Sequence, residues 1–344
     1  MIKNRLYIKI IPVFIVLLYC VPVTAQDPNF SQYFSTPLSI NPALAGNSDA
    51  NWRLMGLQRS QWIGEGVEPL TTTSVSFDGV LFRQRDFDKN YIGGGILFLQ
   101  DKGMGGIYKS SSFNFAASTH ISLDADDLHS ISGGLGGTYS NTLINFSQLT
   151  FNAQLSSIGF NRALPTFEAN LSGIKPSLST FAGLMYTYRT DNANFDIGVS
   201  GYRFVKTNKT VLKDDTQFDP PRYNVHANYQ TFLSESVTFN TNLLLVMQSS
   251  RSFYTAGITA GIIPGKFSAD DESPFVMYGG LWYRQSEALI PYVGMSYGVL
   301  QAGLSYDINA SPSKNYFGSL STFEFSLICR SPQKRNSPIP CPWK

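Results

Sequence analysis

Apolar and polar residues alternate singly along much of this chain, in stretches of about ten residues. In "SFNFAASTHI" Phe113, Phe115, Ala117, Thr119 and Ile121 share one face, while Ser112, Asn114, Ala116, Ser118 and His120 share the other. "RYNVHANYQT" sets Tyr223, Val225, Ala227, Tyr229 and Thr231 against Arg222, Asn224, His226, Asn228 and Gln230. "FYTAGITAGI" and "LQAGLSYDIN" repeat the pattern, the second with Asp307 among its polar positions. A period of two marks strands with one apolar face. Such segments fall near 52–61, 71–83, 91–101, 108–121, 127–140, 178–189, 194–205, 222–232, 236–249, 253–263, 274–284, 289–298, 300–308 and 320–329. That is about fourteen, and single-chain bacterial barrels have even strand numbers.

Length separates a membrane barrel from a soluble sandwich. Spanning strands need about 9–11 residues, whereas strands of globular sheets average about 5–6. These segments reach the greater length, and Tyr278, Trp282 and Tyr283 lie near a segment end, where interfacial aromatics are expected. The expected fold is therefore all-β: a transmembrane, antiparallel, up-and-down β-barrel of about 14 strands over residues 51–329. With a periplasmic N-terminus the long connections should be external. The longest gaps, 141–177, 206–220 and 309–319, all follow odd-numbered segments. Within 141–177, "QLTFNAQL" reads as a short strand or a fold-in segment, and this loop is the leading internal candidate for touching a partner.

Composition sharpens the picture. The chain is 14% aromatic and only 15% charged, against roughly 25% charged in soluble domains. Residues 1–25 have a secretory layout: Lys3, Arg5 and Lys9, then the apolar run Ile10 to Cys20, then Val23-Thr24-Ala25 as a small-residue cleavage site after Ala25. Lys and Arg total 26 against 24 Asp and Glu. Three of those basic residues belong to the leader, so the remainder is near neutral and nothing suggests nucleic acid. Beyond the leader, Cys329 and Cys341 remain, able to pair in an oxidising compartment.

No chemistry of catalysis, metal binding or cofactor binding stands out. His120, His129 and His226 lie on different segments, and no P-loop, nucleophile elbow or HExxH occurs. The polar lumen residues read as a hydrogen-bonded lining. Gly93-Gly94-Gly95, Gly133-Gly134 and Gly136-Gly137 sit inside strand patterns, where barrel curvature is the expected cause.

Ahead of the first strand, residues 26–50 read as a plug or a recognition segment. In "NPALAG", Asn41 can cap, Pro42 suits the first helical position, Ala43 follows, and Gly46 can terminate a short turn. "QDPNFSQYF", "PLSINPALAG" and "RLMGLQRSQW" at the start, and "GGLWYRQSEALIPYVGMSYGVLQAGLSYDINAS", "GSLSTFEFSLIC" and "IPCPWK" at the end, together resemble the PorP/SprF family. These are outer-membrane proteins of the Bacteroidetes type IX secretion and gliding system. The ending Trp343-Lys344 departs from that family's pattern of a basic residue followed by Phe.

The resemblance implies an outer-membrane barrel of fatty-acid-transporter shape. Its implied partners are outer-membrane lipid, type IX machinery and a large secreted adhesin bearing a C-terminal sorting domain, which the barrel helps export and anchor. The motif residues so marked are Asp27, Pro28, Phe30, Ser31, Gln32, Tyr33, Asn41, Pro42, Ala43 and Gly46. Arg222, Asn224, His226, Asn228 and Asp307 are candidate lumen contacts for a partner. The basic tail 330–344 should be periplasmic, either solvated, docked to the machinery or closed back through a Cys329–Cys341 disulfide. The alternative function is FadL-like transport of small hydrophobic molecules.

Overall fold

The computed structural model describes residues 29–64, 68–83, 90–166, 174–205, 207–208, 218–234, 236–264, 275–311 and 321–331. The expected leader, Asp27, Pro28 and the tail with Cys341 lie outside the described residues. Strands β1 (Trp52–Ile63), β2 (Leu70–Arg83), β3 (Tyr91–Gly103), β4 (Tyr108–Ser122) and β5 (His129–Ile144) follow one another as antiparallel neighbours. A two-stranded hairpin, β6 (Leu155–Ser156) and β7 (Gly159–Phe160), interrupts the series. The wall resumes with β8 (Ser177–Arg189), β9 (Ala193–Tyr202), β10 (Arg222–Ser234), β11 (Val237–Gln248) and β12 (Arg251–Ile262). It ends with β13 (Val276–Arg284), β14 (Ala288–Tyr297), β15 (Leu300–Asn309) and β16 (Ser321–Arg330). β1 pairs with β16, so the described strands outside the hairpin close a fourteen-stranded barrel. Closure leaves no strand edge unpaired in lipid, which is what allows a sheet to span a membrane.

Single alternation governs burial. On β4 the positions Asn114, Ala116, Ser118 and His120 are buried, while Phe113, Phe115 and Ile121 are exposed to the outside. Inside is polar, outside apolar, as a lipid-embedded barrel requires. The near end is where β1 begins and β16 finishes; the far end carries the connections 145–176, 203–221 and 310–320. Among its described residues, the loop after β5 does not fold into the lumen. Its hairpin leaves Leu155, Ile158 and Phe160 exposed, and buried Gln154 holds the base by donating to the carbonyls of Arg162 and Leu164.

Residues 29–51 fill the middle of the barrel. Three 3-10 turns, Tyr33–Ser35, Pro37–Ser39 and Pro42–Leu44, carry the segment. Asn41 caps the third by accepting the Ala43 N–H at 2.9 Å, Pro42 occupies its first position, and Gly46 turns the chain with φ +68°.

Two expectations need correction. Tyr278 and Trp282 are not girdle residues: they are 4% and 1% exposed and point into the lumen, where Trp282 stacks on Phe34 at 5.6 Å. Only Tyr283 faces outward. Curvature likewise does not explain all the glycines. A Cβ on Gly93 would meet the Ala45 carbonyl, on Gly95 the Leu38 side chain, and on Gly134 the Pro42–Ala43 backbone. These glycines, with Gly183 and Gly198 around Asn41, are seats that let the inner segment approach the wall.

Neighbouring glycines therefore have opposite tolerance. Gly134→Val should displace the inner segment and cost about 1–3 kcal/mol, the usual range for overpacking. Gly133→Val, whose Cβ meets only Leu184 at an ordinary 3.5 Å, should be neutral. Denaturant unfolding in micelles checks both.

Candidate functional site: the plugged lumen

The inner segment makes few hydrogen bonds to itself beyond its turns, so the wall must satisfy its backbone. At the far half, Glu324 accepts the N–H groups of Ser31 and Gln32, both at 2.8 Å. Gln32 also donates to Ser305 and to the Glu324 carbonyl, and accepts from Ser326 at 2.6 Å. Ser31 donates to Asp307 at 2.6 Å, and Arg284 bridges Asp307 (3.0 Å) and Ser31 (2.8 Å). Arg59 pairs with Glu324 at 3.3 Å, with both side chains buried. Charges so far from water persist only when paired and hydrogen-bonded.

Mid-lumen contacts are apolar and aromatic. Phe30 and Tyr33 join Leu244, Val246, Phe253 and Tyr292 in one buried cluster. Burial pushes the Tyr33 phenol above its usual pKa, so it acts as a neutral donor, bonding Asn242 at 3.0 Å beside Trp282 Nε1 at 2.6 Å. From Asn242 a side-chain relay runs through Asn240 and Asn228 to Asp196, which also accepts from Thr187 and Asn194.

Further along, Tyr202 donates to the Leu38 carbonyl (2.8 Å), Arg222 to that of Ser39 (2.6 Å), and Asn224 to that of Ile40 (2.8 Å). Arg222 lies 4.6 Å above the Tyr202 ring. Asn41 donates to His226 Nε2 at 3.1 Å and to the Leu184 carbonyl at 3.0 Å. At the near end, Ser118 and His120 Nε2 meet the Ala45 carbonyl at 2.7 and 2.9 Å. Asp78 accepts the Gly46 N–H at 2.8 Å and pairs with Arg53 at 2.9 Å.

The structure thus brings the predicted residues together, but in one assembly. Phe30, Ser31, Gln32, Tyr33, Asn41, Pro42, Ala43 and Gly46 form the plug, and Arg222, Asn224, His226 and Asp307 of the wall grip it. The partner these four hold here is the chain's own N-terminal segment. Asn228 belongs to the relay. Cys329 faces outward on β16 between its cross-strand neighbours Leu54 and Leu300. Sequence reasoning missed Glu324, Arg59, Arg284, Arg53 and Asp78. Their one signal is a charge inside an alternating strand, as in "STFEFSLICR". Among the described residues no three His, Cys, Asp or Glu side chains assemble as metal ligands would.

Beyond the plug, a vestibule of about 170 Å³ occupies the far side of the lumen. Hydroxyl and amide groups of Ser110, Ser112, Asn114, Thr138 and Ser140 line it, with Phe30 and Arg222 at the plug side. A second cavity, about 60 Å³, lies between the plug's Tyr33, Phe34 and Leu44 and the wall's Arg53, Asp196 and His226.

The family model described as "Type IX secretion system membrane protein PorP/SprF" matches residues 23–328. The chain belongs to the PorP/SprF family. No curated protein sequence matches it. Among solved structures, a TodX monoaromatic hydrocarbon channel deltaS2 mutant is similar with TM-score 0.50 and 10% identity, covering 88% of this chain and 94% of that one. The Ralstonia pickettii toluene transporter TbuX gives 0.49 and 12%, over 86% and 94% of the two chains. A Pseudomonas aeruginosa FadL homologue gives 0.48 and 8%, over 84% and 92%. At such identities the likeness concerns the fold alone. This PorP/SprF protein is an outer-membrane β-barrel of the type IX secretion system.

Removing one charge of the Arg59–Glu324 pair should be costly, because it strands the other in the interior. Glu324→Gln should lose about 3–5 kcal/mol. The double variant Arg59→Met, Glu324→Gln should recover part of that loss in the same micellar unfolding experiment.

Proposed function

We propose that this barrel is a non-catalytic component that supports export and surface anchoring of large adhesin-like cargo, with the vestibule receiving a segment of that cargo. The observation that carries the reading is the pairing of a filled lumen with a polar chamber above it. A fourteen-stranded barrel is narrower than porins that pass only small solutes, and this one is occupied across its middle. Holding fits such an interior better than conducting. In this reading the near end is periplasmic and the far end faces outward, with the β5–β8 loop beside the chamber mouth. Hydroxyls and amides, with Asp101, Asp219, Arg203 and Arg222 of both signs among the lining, suit a polar polypeptide segment, which brings its own donors and acceptors.

The FadL-like alternative needs an apolar route from the far end to an exit. The cavity beside the plug, about 60 Å³ and edged by Arg53 and Asp196, lends it little support.

Gentle affinity purification from native outer membranes, followed by mass spectrometry, should recover a very large secreted protein together with type IX components. Ser140→Trp, which fills the vestibule, should abolish retention of that protein while leaving barrel levels unchanged. Recovery of the barrel alone with a bound small hydrophobe would instead favour the transporter. A cysteine at Ile158 should react with an impermeant maleimide on intact cells if the far end faces outward.

A further inference from the structure

The outer face of the wall carries a second polar surface, unconnected with the lumen. On β1 to β5, cross-strand register sets Gln58 opposite Thr73, Thr73 opposite Gln100, Gln100 opposite Ser111, and Ser111 opposite Asn141. All five occupy outward positions, and they form one continuous row. One step toward the far end a second row reads Ser60, Thr71, Lys102, Lys109. Hydrogen bonds knit the first row, from Thr73 to Gln58 at 2.6 Å and from Gln100 to Ser111 at 3.2 Å. One step toward the near end the row is apolar: Val75, Phe98, Phe113 and Tyr139, with Phe98 and Phe113 at 4.8 Å.

Two features set these rows apart from solvated strand ends. Trp62 on β1 and Leu143 on β5 frame them, both outward and exposed, so apolar contact with the surroundings continues past the polar positions. The remaining wall also differs, because Tyr223, Met247, Tyr283, Leu289 and Ile308 make its outer face mainly apolar near the far end, with Thr180 and Ser252 as isolated polar positions. Lys102 and Lys109 then pose a physical problem. They are directly opposed across β3 and β4, where like charges repel, and neither has an ion pair among the described residues. An anion between them removes the repulsion.

We propose that this patch binds a phosphorylated glycolipid of the outer leaflet. Lys102 and Lys109 take the phosphate, Gln58, Thr73, Gln100 and Ser111 take sugar hydroxyls, and Phe98 and Phe113 meet the acyl chains. Charge, hydrogen-bonding groups and apolar surface follow one another in the order of such a lipid's own parts. The proposal rests on the far end facing outward, which the Ile158 labelling experiment checks separately, and it does not depend on cargo.

The test purifies the full-length barrel from native outer membranes in mild detergent and counts bound glycolipid by native mass spectrometry. The unaltered protein should retain it. Lys102→Ala, Lys109→Ala should retain about tenfold less, and Lys102→Arg, Lys109→Arg should restore retention. Heat-modifiable mobility on semi-native gels confirms that each variant is folded. The delipidated barrel is then titrated with lipid A, dephosphorylated lipid A and phosphatidylglycerol, and only the first should bind saturably. Unchanged retention by the double alanine variant overturns the site, as does binding that ignores the phosphates or is matched by phosphatidylglycerol. A co-purifying protein lost together with the two lysines also overturns it, by making the patch a protein interface.

Discussion

A polypeptide segment without regular structure can be buried only where its surroundings supply partners for its backbone. That requirement organises the interior of this barrel. The plug has three short turns and no sheet of its own, and wall side chains meet the N–H groups of Ser31, Gln32 and Gly46 and the carbonyls of Leu38, Ser39, Ile40, Leu44 and Ala45. Glu324 takes two consecutive N–H groups, Tyr202, Arg222 and Asn224 reach the three successive carbonyls of Leu38, Ser39 and Ile40, and His120 meets that of Ala45. The wall residues are polar because the plug's backbone is, and several glycines lack a side chain because the plug's backbone lies against them.

Much of the barrel was legible in the chain. Lipid outside and polar contacts inside press on opposite faces of each strand, so burial repeats every second residue and the period survives in the sequence. The lumen-facing set Arg222, Asn224, His226 could therefore be read directly. What filled the lumen could not. Alternation says which way His226 points, not that Asn41 will be waiting for it. Gly134 looks no different from its neighbour Gly133, although one touches the plug and the other faces lipid. Trp282 shows a rule left unused: Trp282 and Tyr283 are adjacent in one strand, so they cannot both belong to an outer girdle. Glu324, flanked by Phe323 and Phe325, was visible as an anomaly, but its partners Ser31 and Gln32 lie some 290 residues away and share no local pattern with it.

Family and architecture address different questions. The PorP/SprF match places the chain in a secretion system, whereas the solved structures it resembles are named for hydrocarbon and toluene transport. The barrel shape names no function by itself; purpose resides in what the inner face holds. Here that face holds a segment of its own chain firmly, through paired buried charges at both ends and an aromatic cluster between them.

The plug also joins parts of the wall that the chain brings together late. Its first residues are bound by β13, β15 and β16, its last by β2 and β4, and the seam between β1 and β16 lies between those two groups. The Arg59–Glu324 pair crosses that same seam. Until the final strand docks, the Ser31 and Gln32 amides have no carboxylate, and Arg59 has no counter-charge. Seating of the plug and closure of the cylinder are thus one cooperative event, and the N-terminal segment serves as the clasp that fastens the barrel after its last strand arrives.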